Sequence, residues 1–308
     1  MSINMKKYLL TILIVFLGIG FASSVSATAW DITTLSFTTS TSVGSQDGIP
    51  TGITFKSDGT KMFMVGADKD KVYEYSLSSA WDITTLSFTA SSSIESQDGS
   101  PQGLDFNTDG TKMFMAGTTN DSVYEYSLSS AWNITTLNFT ASSSITTQDN
   151  IPQGITFKSD GTKMFMTGYN TRRVFEYSLS SAWDITTLSF TTSTSVGSQD
   201  TSPQNITFNT DGTKMFMAGT TNDSVYEYSL SSAWDITTLG FTASTSVVNQ
   251  DIYSQDIAFK DDGTKMFMVG TEKDNVNEYF LPEAETGGQK VQIKSGSIQL
   301  RSGKITIK

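Results

Sequence analysis

The 308-residue chain contains no histidine and no cysteine, and its formal net charge is −11. These counts exclude Ser-His-Asp and Cys-His catalysis, imidazole metal ligands, disulfides, structural zinc and a lipid anchor on cysteine. They also exclude a nucleic-acid partner, because phosphate neutralisation needs clustered Lys and Arg.

Residues 1–27 read as a secretory signal peptide. Lys6 and Lys7 precede an apolar run from Tyr8 to Ala22, and Val25-Ser26-Ala27 supplies small residues where a signal peptidase cuts. The alternative is an uncleaved anchor, but the run is shorter than the roughly 20 residues a spanning helix needs. The mature chain is therefore expected to start at residue 28 with no transmembrane segment. Its expected place is outside the cytoplasm: secreted, at the cell surface, or in the periplasm.

Trp30, Trp81, Trp132, Trp183 and Trp234 recur every 51 residues and mark five copies of one unit, 29–79, 80–130, 131–181, 182–232 and 233–283. Each copy opens Ala-Trp-Asp-Ile-Thr-Thr-Leu, with Asn133 for Asp in the third, and each contains Asp-Gly-Thr-Lys-Met-Phe-Met unchanged. A period near 50 indicates a propeller or a solenoid. In the second copy Leu104 to Asn107, Lys112 to Ala116, Val123 to Leu128 and Leu137 to Ile145 read as four short strands, with Asp109-Gly110 as a tight turn. Four antiparallel strands and no helical period make one propeller blade. The phase of the repeat adds to this. Leu35 to Val43 is a lone fourth strand at the start, and the last copy stops after its third strand, Val276 to Leu281. Pairing the two closes a monomeric five-bladed ring over residues 28–282 and removes its open edges.

Within the unit, the paired methionines (Met62 and Met64 in the first copy) read as core filling, with a soft Cu(I) site as the sharper alternative. Asp-Gly is turn chemistry. The five tryptophans are candidates either for packing between blades or for an exposed ring face on which a sugar stacks. The pairs Gln46-Asp47, Gln97-Asp98, Gln148-Asp149, Gln199-Asp200 and Gln250-Asp251 enter each next blade. Their aspartates either cap turns or form an axial ring attracting a polar ligand or a hard cation such as calcium, the one cofactor considered. The copies differ mainly in two loops, Asp68-Lys69-Asp70-Lys71 and Gly48-Ile49 with their equivalents, which this strand order puts on one face of the disc.

The tail differs from the repeats. Residues 283–290 read as a linker, and 291–308 repeat every seven residues as short strands separated by Ser-Gly, a small β meander. It is basic through Lys290, Lys294, Arg301, Lys304 and Lys308, whereas residues 29–282 carry 29 acids against 13 bases, a net of −16. It is expected either to pack on the acidic ring or to attach the protein to an acidic surface polymer.

The run Phe-x-x-Asp-Gly-Thr-Lys-Met-Phe-Met followed by Val-Tyr-Glu-Tyr-Ser-Leu resembles exported bacterial propeller repeats of the YVTN and NHL-like kind, over about 250 residues. The resemblance implies binding, surface display or, in some branches, lactone hydrolysis that relies on histidine or metal ligands. No catalytic residue carries over, because this chain has no histidine. Trp-Asp opens the fourth strand here and lacks the supporting histidine of WD repeats. Five-bladed lectins are similar in architecture only.

The expectation that follows is a non-enzymatic module that binds carbohydrate or a surface protein through repeated sites, since near-identical blades favour avidity over a convergent catalytic centre. The alternatives are a glycoside-acting enzyme with axial carboxylates and a structural surface scaffold. Asp105 is the odd carboxylate on a first strand, where other copies have Thr54, Thr156, Thr207 and Ala258.

Overall fold

The computed structural model describes residues 29–282 and, in the tail, the strands Lys290–Ile293, Gly296–Arg301 and Lys304–Ile307. The signal-peptide and most of the linker assignments lie outside the described residues. Residues 29–282 form an all-β, five-bladed propeller. Blade 1 comprises Pro50–Phe55, Lys61–Gly66, Lys71–Leu77 and Leu86–Ser93, counted outward from the axis as its first to fourth strands. Blades 2, 3 and 4 repeat it, with first strands Pro101–Phe106, Pro152–Phe157 and Pro203–Phe208. Blade 5 has Ser254–Phe259, Lys265–Gly270 and Asn275–Phe280, and its fourth strand is the N-terminal Ser36–Ser42. That strand runs antiparallel to the third, from Ser36 opposite Phe280 to Ser42 opposite Asn275, and closes the ring as the repeat phase predicts. The three tail strands pair antiparallel in a sheet of their own.

The core lies between blades rather than within them. Met62 and Met64 of the second strand meet Phe267, Val269 and Val276 of blade 5, while Phe63 and Val65 on the other side of the same strand meet Met113 and Met115 of blade 2. All of these are fully buried, so the two-residue period of a strand puts apolar side chains on both faces. A polar staple recurs at each junction. Lys112 Nζ contacts Glu125 Oε1 at 2.7 Å and the Trp183 carbonyl at 2.6 Å, and Glu125 Oε2 accepts from Ile185 N at 3.2 Å. The equivalent Lys214–Glu227 pair grips Trp30 and Ile32, so the same chemistry that joins neighbouring blades holds the N-terminal segment in place. Among the described residues no helix is long and apolar enough to cross a membrane.

Candidate functional site

The tryptophans stand just before five short 3₁₀ turns, such as Ile83–Thr85, where the sequence alone suggests plain turns. Each tryptophan adopts a left-handed φ of about +60°. Trp81 stacks with Phe55 of its own blade and Phe267 of blade 5, with ring centroids 5.3 and 6.0 Å apart, and is 8% exposed. Its ring also lies on Gly59, whose φ of +70° suits a glycine and where a Cβ would come within 2.3 Å of the indole. The other four tryptophans are half-buried in equivalent aromatic clusters. The neighbouring Asp82 accepts hydrogen bonds from the backbone and hydroxyl of Thr84, capping the turn.

Asp47, Asp98, Asp149, Asp200 and Asp251 are at most 2% exposed. Asp47 accepts from the backbone N–H groups of Ile49, Asp68 and Lys69 and from the Tyr73 hydroxyl, at 2.9–3.2 Å. The carboxylate thus ties the loop entering a blade to the loop between that blade's second and third strands. Gln46, Gln97, Gln148, Gln199 and Gln250 are half-buried beside them. Among the described residues no group of three or more Asp or Glu side chains is placed to hold a metal ion.

At the axis the copies stop being equivalent. The five first strands approach closely at the level of Gly52, Gly103, Gly154, Asn205 and Asp256. A Cβ on Gly154 would come within 2.3 Å of Asn205 Oδ1, so glycine at three positions makes room for the two larger side chains. Below this neck, toward the first-hairpin turns, lies a cavity of about 150 Å³. Asp105, Asp256 and Asp261 line it together with Thr54, Thr156 and Thr207. Asp105 Oδ1 accepts from Phe106 N at 2.8 Å, and its Oδ2 from Phe157 N of the next blade at 2.9 Å. Asp256, 1% exposed, accepts from Ile257 N at 2.6 Å and from Ile53 N of blade 1 at 2.7 Å. Each carboxyl therefore bridges two blades, and Asp105 Oδ2 also accepts from the Thr156 hydroxyl at 3.5 Å.

Burial pushes Asp105 up to about 6 despite its hydrogen bonds. Asp256 is raised further above the ordinary carboxylate range, by burial first and also by the charge of Asp105. Both carboxyls are thus held above the ordinary carboxylate range in unlike surroundings, the kind of difference that acid–base chemistry uses. Asp105 is visible in the sequence as an odd residue. Asp256 was missed, although the same comparison of copies marks it against Gly52, Gly103, Gly154 and Asn205.

The opposite end of the axis is a funnel of about 450 Å³ lined by Thr51, Gln102, Gln153, Gln204 and Gln255. The two variable loops meet there, with Ala67 N donating to Ile49 O at 2.9 Å.

No family model and no curated protein matches the chain. Among solved structures, the periplasmic gluconolactonase PpgL of Pseudomonas aeruginosa is 14% identical with a TM-score of 0.44, over 83% of this chain and 72% of that one. A candidate 6-phosphogluconolactonase of Bacteroides uniformis is 12% identical with a TM-score of 0.46, over 80% and 76%. A Lactobacillus plantarum protein scores 0.48 at 14% identity, over 84% and 70%. At these identities the likeness is one of propeller fold.

One expectation is corrected at this point. The non-enzymatic binding module rested on equivalence of the blades. The axis of this chain is asymmetric, with two axial carboxyls, Asp105 and Asp256, drawn from blades 2 and 5.

Proposed function

We propose that the protein is a hydrolase of small cyclic esters, with Asp105 as general base and Asp256 as general acid in the axial cavity. The observation that carries this reading is the pair of axial carboxyls that line one cavity, each bridging two blades and each raised above the ordinary carboxylate range by burial. Asp105 takes a proton from water as the water oxygen bonds to the ester carbonyl carbon. The carbon–oxygen bond of the ring then breaks, and the departing oxygen receives the Asp256 proton. The product is a hydroxy acid, and the proton on Asp105 returns through solvent to restore the pair. A cavity of about 150 Å³ suits one compact ring, which favours a cyclic ester. The apolar run of residues 8–22 and the likeness to exported YVTN and NHL-like repeats support a site of action outside the cytoplasm.

Hydrolysis of a panel of five- and six-membered lactones, followed by proton release, tests this. Asp105→Asn should lower kcat by about 10²–10⁴-fold while the folded propeller persists by circular dichroism. Full activity in Asp105→Asn, or no turnover of any lactone by the wild type, refutes the proposal.

A further inference from the structure

We propose that the axial cavity accepts uncharged substrates and rejects anionic ones, phosphate monoesters above all. This rests on the hydrolase reading and adds the charge class of the substrate. Three carboxyls, Asp105, Asp256 and Asp261, face the cavity, and its neutral polar groups are the hydroxyls of Thr54, Thr156 and Thr207. No lysine or arginine lines it among the described residues.

The cations nearby are already committed. Lys61, Lys112, Lys163, Lys214 and Lys265 each hold a buried glutamate at 2.6–2.7 Å. Lys56, Lys158 and Lys260 on the first-hairpin turns pair with Asp58, Asp160 and Asp262 at 2.5–2.6 Å. The remaining basic residues of the ring, Lys69, Lys71, Arg172, Arg173 and Lys273, belong to the loops at the funnel end. A phosphate monoester carries close to two negative charges near pH 7, and at the hairpin end it would meet ionised Asp105 with no free cation among the described residues to receive it. Threonine hydroxyls serve an uncharged polyol ring as donors and acceptors without that repulsion.

The test compares a neutral six-membered sugar lactone with its 6-phosphate on the full chain. Coulomb repulsion of a dianion by one carboxylate at about 7 Å, with an effective dielectric of about 40, predicts roughly 50-fold higher kcat/KM for the neutral compound. The gap should narrow as salt rises from about 20 to 300 mM. Ala258→Lys, which adds a cation to the ring containing Asp105, should shrink it about tenfold by the same law. Equal or better turnover of the phosphorylated lactone overturns this inference and leaves the hydrolase reading standing. If neither lactone is hydrolysed, the hydrolase reading fails, and calorimetric binding of the same two compounds decides the charge preference. Equal affinity would then overturn it.

Discussion

Substituting Asp105 by asparagine should change not only catalysis but the pH dependence of stability, by an amount the structure sets. The Asp105 carboxyl titrates near 6 in the folded protein, against 3.8 for an unperturbed aspartate. Below the lower value both folded and unfolded chains hold the proton. Between the two, the unfolded chain ionises while the folded one stays protonated, so stability falls as pH rises. Above the folded value the loss is complete, at about 3 kcal/mol for a shift of roughly two units. The substituted amide has no proton to lose, so groups away from the axis largely cancel in the comparison. With an unfolding entropy of about 2.1 cal/mol/K per residue, that loss corresponds to about 6 °C in Tm for a ring of this size. The asparagine also forfeits one acceptor for the N–H groups of Phe106 and Phe157, a cost that does not depend on pH. Thermal melts of both proteins from pH 4 to 8 measure the difference directly. Tm of the variant minus Tm of the wild type should climb by about 4–5 °C between pH 4 and 7, since part of the loss is already incurred at pH 4. A flat difference would mean that the Asp105 carboxyl is not desolvated on the axis, and the separation of acid and base roles would fall with it.

Two further substitutions probe the ring itself. Lys112→Met leaves Glu125, with a side chain only 7% exposed, without its cation, and should cost about 3 kcal/mol, read as a Tm lower by about 6 °C. A loss below about 1 kcal/mol would class the staple with ordinary surface pairs. Asn277→Tyr tests the exception in blade 5. Asn277 is 1% exposed with an unpartnered Nδ2, at the position where Tyr73 donates to Asp47 in blade 1. Restoring a tyrosine beside Asp251 should add about 1 kcal/mol, a rise in Tm of about 2 °C, whereas a lower Tm would show that neighbouring side chains have filled the space.

Blade number, strand order, ring closure and the burial of the methionines were all legible in the sequence. A 51-residue period and a two-residue alternation are local properties of the chain, and the lone fourth strand at the start could pair only with the unfinished last blade. The Lys112–Glu125 staple escaped notice because its partners, Trp183 and Ile185, come from the next blade around the ring. The centre was decided by tertiary structure. Asp105 and Asp256 lie 151 positions apart in the chain, and only closure of five strands around one axis brings them to a common cavity. That closure also buries the two carboxyls to different degrees, and the resulting desolvation, which no spacing along the chain encodes, raises both above the ordinary carboxylate range.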